Sequence, residues 1–179
     1  MNLDFWILDG IQGLRTEWLD VFFRAVTRLG DGGIFWLVTA LVLCVYRKYR
    51  PYGLMVLAAL FGGLLIGNLG IKPFIARLRP FQVREGIVLL IREPGEFSFP
   101  SGHTLSSFEA AFVLFYMDRR IGAGALFLAS LIAFSRLYLF VHYPTDVLGG
   151  FLLACVIAGA VVWAARRFFA VRPLREKDA

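Results

Sequence analysis

Residues 53–71 read GLMVLAALFGGLLIGNLGI, nineteen positions with a single polar side chain, Asn68. A straight helical crossing of a bilayer needs roughly 20 such residues. Four more stretches have the same character: 33–46, 104–117, 121–141 and 147–165. The first and third of the five are short, so they must borrow flanking residues or sit where the bilayer thins. Over the whole chain 59% of the 179 residues are hydrophobic. A soluble domain of this length could not hide that much apolar surface. The chain therefore reads as all-α, a polytopic transmembrane helical bundle of five to six spans. No linker, repeat or low-complexity tract divides residues 1–179, so they form one domain. Small residues four apart (Gly63 and Gly67; Ala125, Ala129 and Ala133; Gly150, Ala154 and Ala158) have the spacing that lets membrane helices approach closely.

Residues 1–29 are too polar to span in the same way. Asp9, Gln12, Arg15, Glu17, Asp20, Arg24 and Arg28 are scattered through them. Phe5, Leu8 and Ile11, then Trp18, Leu19, Phe22, Phe23 and Val26, recur at helical spacing. The expected structure is one or two amphipathic helices lying in the membrane interface, with a sixth, short and tilted span as the alternative. Asp4 and Asp9 stand where a cleavable signal peptide would carry a basic start and an apolar core.

Charge sets the orientation. Arg47, Lys48 and Arg50 follow the first span, Arg119 and Arg120 the third, and Arg166, Arg167, Arg172, Arg175 and Lys177 the fifth. With five alternating spans these groups fall on one side, which the positive-inside rule makes cytoplasmic. Segments 72–101 and 142–146 then share the opposite, non-cytoplasmic face of a cell inner or plasma membrane. The net charge of +6 follows from this topology and gives no reason to expect nucleic acid. Cys44 and Cys155 lie within spans and read as small apolar residues. Two His and two Cys without close ligand spacing give a metal site little to build on, so no metal or cofactor is expected.

Three polar clusters interrupt this apolar chain on the expected outer face. Lys72 and Arg79-Pro80, with Arg77 between them, put positive charge where it is otherwise scarce. Basic residues at a span end often only snorkel to the surface, but phosphate binding is the competing reading. Ser101, Gly102 and His103 open the third span after Pro100. Ser101 is a good N-cap, Gly102 allows close backbone approach, and free N–H groups at a helix start attract anions. Ser135-Arg136, His142 and Asp146 surround the turn into the last span. An arginine in an apolar helix wants an anionic partner. Asp146, in the first turn of a helix opened by Pro144, can accept from one nitrogen of His142 and leave the other facing a substrate.

The three clusters read K-x6-R-P, P-S-G-H and S-R-x5-H-x3-D. Together they resemble the tripartite signature of the type 2 phosphatidic acid phosphatase (PAP2) family at every defining position. The resemblance implies a metal-independent phosphatase acting on a lipid phosphate or diphosphate. In it His142 is the nucleophile that forms a phosphohistidine, Asp146 orients it, and His103 protonates the leaving oxygen. Lys72, Arg79, Arg136, Ser101 and the Gly102 backbone would hold the non-bridging oxygens. Fixed cations and helix N–H groups suit phosphoryl transfer, which needs charge neutralisation and an aligned nucleophile.

Undecaprenyl diphosphate is the first choice of substrate, because an outward site fits carrier-lipid recycling. Phosphatidylglycerophosphate and phosphatidic acid are the alternatives, as are a phosphotransferase using the same intermediate and a non-enzymatic lipid-binding or lipid-moving protein. The expected partners are the lipid substrate and the bilayer. Outside the signature, Glu109 is expected to be a structural partner of an arginine rather than part of the site's outer shell. Asn68, four residues before Lys72, is expected to orient it. Arg84 and Arg92 would meet a second phosphate or the headgroup region, and Tyr138 and Tyr143 the interface. The apolar run 87–91 is expected to dip into the interface beside the route by which a lipid arrives.

Overall fold

In the computed structural model, which describes Leu3 to Leu174, all regular elements are helical. Arg175 and Lys177 of the C-terminal basic group lie outside the described residues. The helices are α1 (Leu3–Gln12), α2 (Glu17–Arg28), α3 (Ile34–Val45), α4 (Arg50–Gly63), α5 (Lys72–Ile75), α6 (Pro80–Val83), α7 (Gly102–Met117), α8 (Arg119–Tyr138) and α9 (Pro144–Phe169). Local sequence sets their ends. Thr16 caps α2 by accepting from Leu19 N, and Ser101 caps α7 through Thr104 N. Asp118, the single residue between α7 and α8, caps the latter through Arg120 N and Ile121 N at 2.8 and 3.1 Å. Pro144 stands at the start of α9, where a missing N–H costs nothing.

Four runs are long and apolar enough to cross a membrane by length and composition: Glu17–Val45, Arg50–Val83, Arg119–Tyr138 and Pro144–Phe169. The first joins α2 and α3 across a kink at Gly32 and Gly33, both at positive φ. The short stretch 33–46 thus borrows from the polar N-terminal segment. The second run changes from α- to π-helical over Leu64–Ile71, just before Lys72. Stretch 104–117 is absent from the four. It forms α7, sixteen residues packed by α3, α4, α8 and α9 at the centre of the bundle. Leu105, Ala110, Ala111 and Val113 are almost fully buried there, while Leu41, Phe61, Phe127 and Val156 on the outer helices are exposed. Outward apolar side chains on a ring of helices are what a bilayer covers.

Helix direction alternates through α4, α7, α8 and α9, so Arg50, Arg119 and Arg166 gather at one end of the bundle. Tyr52 and Tyr116 bind the backbone carbonyls of Arg172 and Val171 there. Lys72, Gly102, Tyr138 and Pro144 mark the other end. Two helices occupy the N-terminal segment, and both meet this second end. Gln12 Nε2 donates to Tyr138 O at 2.9 Å, Tyr138 Oη donates to Asp20 at 2.7 Å, and the Phe23 ring packs at a tilt against Phe134 and Tyr138.

The run 87–91 departs from expectation. Ile87, Leu89, Leu90 and Ile91 pack with Phe81 against residues 138–143, and Val88 alone of the five is strongly exposed. Apolar side chains here find a protein surface, the underside of the segment carrying His142, before they find lipid.

Candidate active site

The three clusters meet at the second end of the bundle around a cavity of about 750 Å³. Lys72, Arg79, His103, Arg136 and His142 all line it. Lys72, Arg79 and Arg136 are each 5% exposed or less, which is unusual for cations and requires partners. Arg79 has them on every nitrogen. Nε donates to Glu96 O at 2.7 Å, Nη2 to Phe97 O at 3.2 Å and Nη1 to Val141 O at 2.8 Å. Pro80 starts α6 directly after it, so the Arg79 backbone is extended and its side chain is carried into the site. Lys72 Nζ pairs with Glu96 at 2.7 Å, and that pairing holds the Glu96 carboxyl below its usual range. Arg136 Nη1 donates to Thr27, while its Nε has no partner among the described residues.

His142 lies in the turn between α8 and α9, 1% exposed. Its Nδ1 is 3.4 Å from Asp146 and its Nε2 is 3.1 Å from Arg79 Nη1. An arginine can only donate, so Nε2 carries the lone pair and Nδ1 the proton, which points to Asp146. That is the tautomer a nucleophilic Nε2 requires. Burial, helped by the charges of Arg79 and Arg136, pushes the His142 imidazole down to about 3. A depressed histidine withholds a proton that the unfolded chain would bind. The stability it leaves intact is present above the ordinary value of about 6.5 and is lost as pH falls from there towards 3. Melting temperature in detergent should therefore fall more steeply between pH 6.5 and 4 in the wild type than in His142→Ala. Equal slopes would contradict this environment for the ring.

Asp146 is fully buried and accepts four ways. Oδ2 takes Ser98 Oγ, Tyr143 N at 2.9 Å and His142 Nδ1; Oδ1 takes Arg77 Nη1 at 2.6 Å. Arg77, read in the sequence only as one more basic residue of the first cluster, is thus the counter-ion of Asp146. Its other arm reaches Asp4 at 2.8 Å, and its guanidinium lies 3.8 Å over the Tyr143 ring. Asp4 in turn accepts from Thr145 N and Oγ1. The N-terminal helix is therefore latched to the turn that carries His142. A charge-assisted hydrogen bond contributes about 2 kcal/mol, so Arg77→Ala should lower kcat by roughly 30-fold with KM little changed. A change confined to KM would show that Arg77 acts on binding instead.

Ser101 is buried, its Oγ accepting from Thr104 Oγ1 at 2.9 Å and its N donating to Asp146 O at 3.1 Å. That last bond ties the second cluster to the third. A side chain at Gly102 would meet Asn68 Oδ1 at 3.1 Å and Lys72 Nζ at 3.6 Å, so backbone, amide and ammonium converge there. Asn68 lies on π-helical backbone, where the four-residue spacing to Lys72 no longer defines one α-helical face. His103 Nε2 is 2.8 Å from Asp31, which stands in the turn between α2 and α3.

Three expectations outside the signature change. Glu109 has no arginine partner: both carboxyl oxygens are unpaired among the described residues, packed against Gly63 and lining the same cavity. Arg84 pairs with Asp9 and lies over the Phe5 ring, so it anchors α1 rather than facing a phosphate. Tyr138 and Tyr143 are buried supports of the site, not interfacial aromatics. Sequence reasoning missed Asp4, Thr27, Asp31 and Ser98. Of these only Asp31 carried a signal, as an acid among Gly30, Gly32 and Gly33 beside an apolar run. Among the described residues, no three His, Cys, Asp or Glu side chains stand together as a metal-binding group.

Fold and site together define an integral-membrane helical bundle with a carboxylate-held histidine facing a pocket of buried cations. The chain belongs to the PAP2 superfamily, whose family model matches residues 48–170. It is similar to the undecaprenyl-diphosphatase of Sulfolobus acidocaldarius, at 30% identity over 69% of this chain and 60% of that protein. Its similarity to phosphatidylglycerophosphatase B of Bacillus subtilis, also 30% identical, covers 92% of this chain and 79% of the relative. Among solved structures, Aquifex aeolicus LpxE superposes with a TM-score of 0.75 at 29% identity, covering 91% of this chain and 96% of that one. The match to the Sulfolobus protein thus spans less than two thirds of that protein's length.

Proposed function

We propose that the chain is a metal-independent lipid phosphatase that hydrolyses a lipid phosphate or diphosphate through a phosphohistidine on His142. The observation that carries this reading is the His142 ring, held on Nδ1 by Asp146 and aimed through Nε2 at the Arg79 guanidinium. Binding alone needs cations; it does not need an oriented neutral imidazole among them. Phosphate oxygens would bind to Lys72, Arg79, Arg136, Ser101 and the Gly102 backbone. Lys72 would exchange its Glu96 partner for substrate. His142 Nε2 attacks phosphorus while the bond to the leaving oxygen breaks, and His103 supplies that oxygen with a proton. Neutral His103 then takes a proton from the water that attacks the phosphohistidine, releasing phosphate. Three fixed cations and the start of α7 can neutralise the equatorial oxygens, the role a metal fills elsewhere.

The basic groups at the far end of the bundle support a non-cytoplasmic active site in a cell inner or plasma membrane, with α1 and α2 at the outer interface. Undecaprenyl diphosphate is the favoured substrate, on the outward site and the named activity of the Sulfolobus relative. Phosphatidylglycerophosphate and phosphatidic acid are the alternatives, the first favoured by the longer match to the Bacillus protein. Transfer to an alcohol instead of water would use the same intermediate. The test is phosphate release by detergent-purified protein in EDTA from these three lipids, with His142→Ala alongside. Release by wild type alone supports the reading, and the preferred lipid identifies the substrate. Loss of activity in EDTA, or no release from any lipid, contradicts it.

A further inference from the structure

Both histidines of the site are held by a carboxylate, but on opposite ring nitrogens. Asp146 takes Nδ1 of His142; Asp31 Oδ1 stands 2.8 Å from Nε2 of His103. Asp31 lies in the 3₁₀ turn Asp31–Gly33, outside all three signature clusters and more than sixty residues from His103 in sequence. The same turn closes on the ring from the side. A methyl group added at Gly30 would stand 2.6 Å from His103 Cδ2 and 2.8 Å from Ile132. The ring is thus boxed in by backbone on one flank and fixed through Nε2 on another. The Asp31 side chain is 60% exposed and the His103 side chain 18%, so the carboxylate sits at the wet edge and the imidazole inside.

The charges sharing this cavity give the arrangement a purpose. Arg79 and Arg136 both line it; burial and the charges of Arg136 and Arg79 push the His103 imidazole down to about 4, while the hydrogen bond and charge of Asp31 push it back up. An imidazolium there needs a neighbouring negative charge. Asp31 supplies one without occupying the phosphate site.

We propose that Asp31 is the positioning residue of the proton donor. It holds the His103 ring through Nε2, stabilises its protonated form, and leaves Nδ1 to deliver the proton. This inference rests on the phosphohistidine reading above. As His142 Nε2 bonds to phosphorus, the electron pair of the breaking P–O bond stays on the leaving oxygen. The Nδ1 proton of His103 moves to that oxygen, and Asp31 keeps its charge throughout.

The consequence is a dependence on the leaving group. An alkyl lipid oxygen cannot leave without a proton, whereas a nitrophenolate is stable as the anion. The experiment compares kcat/KM on a lipid monophosphate and on p-nitrophenyl phosphate for wild type, Asp31→Asn and Asp31→Glu in EDTA. Asp31→Asn should lose about 100-fold on the lipid, within the range of general acid catalysis, and little on the aryl ester. Asp31→Glu should recover part of the loss. The ratio of the two kcat/KM values is independent of the fraction of enzyme correctly folded, so it separates a chemical role from a structural one. A ratio unchanged in Asp31→Asn overturns the proposal. Turnover that survives His142→Ala would instead overturn the phosphohistidine reading on which it rests.

Discussion

Phosphate release should fall by at least about 10⁴-fold in His142→Ala, the scale on which loss of a nucleophile that acts within a catalytic unit is felt. The reason is geometric. His142 Nε2 is the ring nitrogen held at the buried guanidinium of Arg79, and its partner nitrogen is committed to Asp146. No other nucleophile of the same kind is available, since the only other histidine in the chain is His103, tied to Asp31. The cations would remain, so the variant should still bind inorganic phosphate, a tetrahedral oxyanion that needs charge and no nucleophile. Phosphate release from substrate and binding of inorganic phosphate, measured on one preparation, separate loss of chemistry from loss of fold. A variant that binds phosphate and retains more than about 1% of wild-type activity would remove His142 from the nucleophile's role.

The second large effect is expected from Asp146→Asn. The native carboxylate has four donors arranged around two oxygens: Ser98, Tyr143 N, His142 and Arg77. An amide has one acceptor oxygen and two N–H groups, so its NH2 must face either Arg77 alone or the other three donors together. If the amide turns its NH2 to His142, the ring is driven into the tautomer with Nε2 protonated, and its lone pair no longer faces phosphorus. Loss of about 10⁴-fold in kcat accompanies a wrong tautomer in a serine-protease triad, and a similar fall is expected here. If the NH2 turns to Arg77, the cost appears as stability. Breaking one side of a buried ion pair costs about 3–5 kcal/mol, a figure to be discounted because the Arg77 side chain is 28% exposed. Kinetics and melting temperature measured together therefore show which way the amide lies. An Asp146→Asn protein with unaltered kcat and melting temperature would contradict the four-donor environment.

The signature residues were legible because polar and charged residue types are unusual in so apolar a chain. Lys72, Arg79, Ser101, Gly102, His103, Arg136, His142 and Asp146 stood out as polar groups at span ends, and folding brings them to one end of the bundle. What supports them was far less legible. Arg77 was seen, but its role depends on Asp4, separated by 73 positions and brought near only when α1 lies against the start of α9. Asp31 depends on a kink whose angle no local periodicity encodes. The run 87–91 looked like lipid-facing sequence because an apolar run carries no label for what will cover it. Stretch 104–117 reads as a span on hydrophobicity, and in the bundle its Leu105 and Val113 meet neighbouring helices where the outer helices turn such side chains outward. A buried central helix and a lipid-bathed one share a composition, and length is the better guide between them.

The N-terminal segment has a physical lesson of its own. Its polar residues argued against a simple crossing, and several prove to be structural contacts made at the site end. Asp4 holds Arg77 and Thr145, Asp9 holds Arg84, Asp20 holds Arg15 and Tyr138 Oη, and Thr27 holds Arg136. Polarity that looked like surface character here joins α1 and α2 to the turn that carries His142.

The central claim is a phosphoryl group carried on His142, and trapping it is the most direct measurement. Wild-type protein in detergent and EDTA would be mixed with lipid carrying a radiolabelled scissile phosphate, quenched in base, where phosphohistidine persists, and digested. The account predicts label on the peptide containing His142, abolished by His142→Ala. Continued phosphate release with no label entering the protein, or label that persists in His142→Ala, would contradict it.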